Sequence, residues 1–255
     1  VLLMGIGPLL PWRKTRLRTI ASILRFPVTI SISSAIVLAI IGVREPVVLA
    51  AIAIVMLSVV GILHEWVRGV ISRHRSGEPY LLALVRLLAA NRPRYGGYVV
   101  HLAIAMLSIG AIGSSFYDAQ RDFSMVPGQN ETLGSYSFTY LGLERFSFED
   151  REESIARFEV KSGSRDLGTM SATRTFYPNF NMSATRAAIR STPIEDFYIV
   201  PSEFGDDGRT VFRVYVNPLV WWMWFAAPVL LLGTLLAIFP TPTLFTNRGI
   251  IRGRS

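Results

Sequence analysis

The sequence predicts an α-helical integral membrane protein: about four full transmembrane helices, a truncated N-terminal helix, and one β-rich extracytoplasmic domain before the last span. Three observations predict this class. Hydrophobic residues make up 51% of the 255 and the mean hydropathy is +0.39, above the apolar share of an ordinary soluble domain. The apolar residues gather in unbroken stretches near the length needed to cross a bilayer. Basic residues flank those stretches, while one long intervening segment is acidic.

The charge divides by side. Five Lys/Arg fall between Pro11 and Arg25, six between His64 and Tyr95, and three after Phe239, offset only by Glu65 and Glu78. Ser114–Asn217 instead holds 11 Lys/Arg against 15 Asp/Glu. The net charge of +8 therefore follows the positive-inside pattern. No nucleic-acid partner is expected, because no soluble basic face carries the excess. There is no cysteine, which excludes disulfides, a CxxC redox pair and CxxCH haem attachment. A cofactor held here is held non-covalently or through His and similar ligands.

Val1–Leu10 is apolar but too short to span. Its basic residues follow the apolar stretch, so it is no signal peptide and reads as the tail of a helix begun upstream. On that reading the chain is the C-terminal part of something larger, or one half of a split protein. Phe26–Val43 is the first full span, with Pro27 expected in its first helical turn. Arg44 and Glu45 mark a hairpin into the second, Pro46–Leu63. Tyr80–Ala90 is apolar with one Arg, too short to span, and reads as an interfacial amphipathic helix. Gly96–Phe116 is the third span. Leu219–Phe239 is the fourth, with a kink expected at Pro228. The basic stretches Arg13–Arg25, Arg68–Arg94 and Arg248–Arg254 then share the cytosolic side, and the Arg44–Glu45 hairpin and Ser114–Asn217 face outward. Trp221, Trp222 and Trp224 open the fourth span as an interfacial aromatic belt.

Within Ser114–Asn217 the hydrophobic period changes to two. Tyr136, Phe138 and Tyr140 alternate with polar residues, as do Phe158 and Val160, and Phe212 and Val214 oppose Val211, Arg213 and Tyr215. Pro127-Gly128 and Leu133-Gly134 read as turns, and Ala184–Arg190 as one short helix. The expected organisation is transmembrane helices with cytosolic basic loops over 1–113, a periplasmic β-rich domain over 114–217, and the last span with a basic cytosolic tail over 218–255.

No protease, hydrolase, P-loop or dinucleotide signature occurs, and no catalytic residue is assigned. Glu149, Asp150, Glu152 and Glu153 read as a solvated acidic run. Of three histidines, His64 and His74 flank the cytosolic end of the second span and read as interfacial polar residues. His101 differs. It lies six residues after Tyr95, roughly 9 Å into the third helix at 1.5 Å per residue, inside the apolar span. Gly97, Ala105 and Ser108 share its helix face and leave room for a partner helix or a flat ring. On the residues alone two readings stand: interhelical packing, and ligation of a metal or haem.

Four stretches carry a resemblance. Arg94-Tyr95-Gly96-Gly97-Tyr98 leading into His101 resembles the CcmF family of cytochrome c biogenesis proteins, at the segment bearing a haem-binding membrane histidine. Leu3–Trp12, Thr175–Ile189 and Phe212–Trp224 resemble other parts of that family in the same order, and the similarity covers essentially the whole chain. The resemblance implies a bacterial inner-membrane haem lyase component, multi-pass, with its large loop in the periplasm. His101 would be an axial ligand to the iron of a haem b, and Arg92 and Arg94 at the helix mouth would contact its propionates. The implied partners are a haem chaperone, an apocytochrome c with its thiol-handling subunit, the upstream part of the same lyase, and quinol as reductant. The family's tryptophan-rich WWD segment, its outer histidine pair and a second intramembrane histidine have no counterpart in this sequence. The second haem ligand is therefore expected from the upstream part, and the fragment alone is expected to be inactive. The alternative is a non-enzymatic membrane scaffold or sensor whose outer domain docks partners.

Overall fold

The computed structural model describes residues 17–204 and 209–239. Val1–Leu10, Leu3–Trp12, Arg248–Arg254 and the first residues of Arg13–Arg25 lie outside them. The chain divides into a helical unit, up to Ile112 and from Trp222, and a β-unit, Gly113–Trp221.

The helices are α1 (Leu17–Ile41), α2 (Pro46–His74), α3 (Tyr80–Ala90), α4 (Arg92–Phe116) and α5 (Val220–Ile238). Among the described residues, α1, α2, α4 and α5 are long and apolar enough to cross a membrane. Three of them run past the apolar stretches that announce them. α1 starts at Leu17, so Pro27 lies in its interior and not in its first turn. α2 continues beyond Leu63 to His74, and α4 begins at Arg92 before Gly96. Hydropathy marks only the part that suits an apolar solvent, whereas arginine and leucine are good helix formers on either side of that edge.

Gly42–Glu45 closes the α1–α2 hairpin, with the Gly42 and Val43 N–H groups both donating to the Leu38 carbonyl and Pro46 opening α2. The buried Ser31 hydroxyl donates across the hairpin to the Ala53 carbonyl. α3 has one covered face, with Ala83 and Leu87 buried and Leu81 and Val85 exposed. Leu87 lies so close to Gly69 of α2 that a β-carbon there would sit 2.8 Å from it. Ile62, Leu87, Tyr95 and Tyr98 form the buried cluster joining α2, α3 and α4.

The β-unit is two antiparallel sheets. One has the order β1 (Ala119–Met125), β9 (Thr210–Pro218), β8 (Glu195–Phe204), β7 (Ala188–Ser191). The other runs β2 (Asn130–Leu133), β3 (Tyr136–Ser147), β4 (Glu152–Ser162), β5 (Arg165–Tyr177), β6 (Met182–Arg186). The alternation seen in the sequence sets the inner faces. Phe138, Phe158, Phe197 and Phe212 are fully buried, while Arg213 pairs with Asp122 on the other face. Phe158 meets Phe212 edge-on at 4.7 Å between ring centres, and the Tyr140 hydroxyl lies 3.2 Å from that of Thr210, tying the two sheets. Gly134, at φ 60°, makes the β2–β3 turn in a conformation that L side chains resist.

Ala184–Arg190 is not a helix. Its first half is edge strand β6, with Arg186 opposite Thr173, and its second half is edge strand β7, with Ala188 opposite Ile199. The chain passes from one sheet to the other here. The helix preference of Arg186-Ala187-Ala188 is worth a few tenths of a kcal/mol per residue, less than the ladder bonds that two open sheet edges offer. The acidic run forms the β3–β4 hairpin tip, where Arg151 bonds Glu153 at 2.7 Å and Asp150 at 3.1 Å and covers the Phe148 ring.

Candidate functional site

α4 is aimed by its first two turns. The Asn91 side chain accepts the Arg94 N–H at 3.3 Å, an N-cap, and Pro93 sits where no helical N–H is needed. The Arg94 guanidinium then donates to the Tyr98 hydroxyl at 2.8 Å and to Glu65 of α2 at 2.9 Å. Tyr95 and Tyr98 pack edge to face at 5.6 Å and bury against Ile62 and Leu87. With that face committed to α2 and α3, Gly96 meets α5. A β-carbon on Gly96 would lie 2.5 Å from the Ala237 nitrogen, and one on Gly233 would lie 2.7 Å from the Val100 nitrogen.

His101 lies on neither of these faces. At about 100° per residue it falls between the tyrosine face and the Gly96 face. Its Nδ1 is 2.6 Å from the Gly97 carbonyl oxygen one turn earlier. A carbonyl accepts only, so Nδ1 carries the proton. Nε2 is then left with its lone pair, as in metal-bound histidines whose other nitrogen is tied to a backbone carbonyl. A β-carbon on Gly97 would meet nothing within 4 Å. Ala105, one turn on, is buried, and Ser108 spends its hydroxyl on the Ile104 carbonyl at 2.8 Å.

The sequence singles out Gly97 as a small residue on the packing face. Gly96 is the one that helix packing requires, and Gly97 leaves open space beside the imidazole. The doublet alone cannot distinguish the two; Gly233 on the partner helix does. His74 belongs to the α2–α3 turn, with Nδ1 2.8 Å from the Glu78 carbonyl and its ring stacked on Tyr80 at 3.8 Å. The His64 ring lies 5.3 Å from that of Phe26. Arg92 is half-buried at the start of α4, roughly 13 Å from His101 along the axis, and Arg94 roughly 10 Å. Among the described residues no three His, Asp or Glu side chains gather as a metal site.

Residues 116–218 match the family described as the CcmF C-terminal β-sandwich. The chain is 26% identical over 245 residues to the cytochrome c-type biogenesis protein CcmF of Haemophilus influenzae, covering 93% of this chain and 36% of that protein. It is 31% identical over 147 residues to CcmF of Pseudomonas aeruginosa, covering 58% of this chain and 22% of the relative. The solved structure of a cytochrome c haem lyase CcmF superposes with a TM-score of 0.73 at 23% identity, over 94% of this chain and 38% of that one. The chain thus spans somewhat over a third of the length of the Haemophilus relative and of the solved structure along nearly all of its own, and about a fifth of the Pseudomonas relative. The same four apolar helices and β-sandwich make it a multi-pass inner-membrane protein. The chain carries the CcmF C-terminal β-sandwich and is similar, along nearly all of its length, to the C-terminal part of the CcmF cytochrome c-type biogenesis proteins.

Proposed function

We propose that this chain is the part of a haem lyase for c-type cytochromes that holds one axial ligand of a membrane haem b, His101. The observation that carries the reading is the Nδ1–Gly97 carbonyl bond, which commits Nδ1 and leaves Nε2 as the nitrogen to face a ligand inside an apolar span. Gly97 adds the room a flat macrocycle needs beside the ring. Bound haem would supply a one-electron iron couple. The chain's own residues position and insulate it: the Gly97 carbonyl keeps the Nδ1 proton, and the apolar surface of α4 excludes water. Arg92 and Arg94 meet the propionates. Arg94 spends two of its five N–H donors on Tyr98 and Glu65 and keeps three.

The second ligand would come from the upstream part of the same lyase, and quinol would supply electrons. The basic loops support a cytosolic α3 and a periplasmic Arg44–Glu45 hairpin, with the β-sandwich in the periplasm. There it docks the haem chaperone and the apocytochrome c with its thiol-handling subunit. The test is His101→Ala in a lyase carrying the upstream part, purified and assayed as pyridine haemochrome. Loss of most b-type haem from protein that still accumulates is expected. Normal haem content would make His101 a packing residue.

A further inference from the structure

Two grooves adjoin at the end of α2, and together they have the chemistry of an amphiphile. The apolar stretch Pro46–Leu63 rises roughly 27 Å, about the hydrocarbon thickness of a bilayer, so His64–Arg75 emerges at a membrane–water boundary. One groove, of about 660 Å³, is lined by His64, Glu65, Arg68, Ser72, Arg75 and Arg94. The other, of about 440 Å³, is lined by Leu63, Trp66, Val70, Tyr80 and Leu84. Val67 and Ile71 line both, and both are exposed.

Helix geometry explains the division. At about 100° per residue, Leu63, Trp66 and Val70 fall on one flank of α2, Val67 and Ile71 along the crest, and His64, Arg68, Ser72 and Arg75 on the other flank. Three guanidiniums share the polar groove with one carboxylate. Glu65 is engaged by Arg94 at 2.9 Å and by Arg68 at 3.7 Å, and Arg75 pairs with no carboxylate among the described residues. The polar groove therefore keeps a net positive charge beside a purely apolar neighbour.

We infer that the paired grooves form a binding site for one anionic phospholipid, its phosphate between Arg68 and Arg75 and an acyl chain across the Val67–Ile71 crest against Trp66 and Leu84. Positive charge selects an anionic headgroup over a zwitterionic one, and the apolar groove selects a lipid over a free anion. The site shares Arg94 with the haem reading but uses neither His101 nor the space beside Gly97, and its phosphate contacts, Arg68 and Arg75, belong to this site alone.

The test uses the full chain in mild detergent, with phosphatidylglycerol and phosphatidylcholine of matched chains added at equal concentration and retention read by native mass spectrometry. The wild type should retain phosphatidylglycerol preferentially. The double variant Arg68→Gln/Arg75→Gln should lower that preference roughly 30-fold while leaving helicity unchanged. Excess inorganic phosphate should not displace the lipid. Equal retention of the two lipids by the wild type, an unchanged preference in the double variant, or full displacement by inorganic phosphate would each overturn the assignment.

Discussion

Replacing Gly96 by alanine should force α4 and α5 apart, whereas the same change one residue later should not. On Gly96 the new β-carbon would lie 2.5 Å from the Ala237 nitrogen and 2.8 Å from both the Ala237 α-carbon and the Gly233 carbonyl oxygen. Favourable contact begins near about 3.5 Å, so the helices must separate by roughly 1 Å. The opposing atoms are all backbone, so no rotamer change relieves the clash. Both variants gain the same helix propensity, about 1 kcal/mol, and this term cancels in their difference. What remains is overpacking, typically about 1–3 kcal/mol, so Gly96→Ala should be less stable than Gly97→Ala by that amount. The difference is one to two decades in the unfolding equilibrium. Reversible unfolding in mixed micelles of rising denaturant-detergent content, followed by helical circular dichroism, measures it. Equal stability of the two variants would refute the crossing at Gly96 and Gly233.

Three further outcomes are expected. Phe158→Ala removes a fully buried ring that touches Tyr140 and Phe212, at a cost of about 3–5 kcal/mol. In membranes the variant's β-sandwich should become protease-sensitive, and unchanged resistance would count against this core. Burial, reinforced by Glu195, pushes the Tyr136 phenol up to about 12, and burial with the Asp196 hydrogen bond does the same for Tyr198. Folding thus favours the neutral phenols. Their contribution is complete below the unfolded value of about 10 and is lost as pH rises toward 12, so the domain's melting midpoint should fall across that window, less steeply in Tyr136→Phe. Reporter fusions should place Gly77 in the cytosol and Gly163 in the periplasm, and the opposite side at either position would invert the orientation.

The elements most legible in the sequence are those set by a single solvent preference. Tyr80–Ala90 is bounded by Pro79 and Asn91 and coincides with α3, and the alternation of Tyr136, Phe138 and Tyr140 places those side chains in the sandwich core. Helix ends are legible only where a cap or proline stops the hydrogen bonding. α2 therefore runs on through Arg68 and Arg73, where hydropathy alone would end it. Ala184–Arg190 misleads because local propensity is weak beside an open sheet edge, and the partners of that edge, Thr173 and Ile199, are remote in the chain. His101 can be found from its place in an apolar span, but its protonated nitrogen depends on a 2.6 Å contact that only the folded helix supplies. The link from Arg94 to both Glu65 and Tyr98 is not legible in the sequence, since nothing in the spacing of Glu65 and Arg94 ties them.

The proposed ligation of haem iron by His101 rests on the Nε2 that the Gly97 contact leaves uncommitted. Its most direct test is chemical rescue: His101→Gly in a lyase carrying the upstream part, purified with and without imidazole and measured for haem content and for the low-spin spectrum of the oxidised haem. Depletion of haem without imidazole, and recovery of both haem and low-spin spectrum with it, is the predicted result, because imidazole replaces the missing ligand in the cavity left by the side chain. A native haem content and spectrum in His101→Gly without imidazole would contradict the assignment.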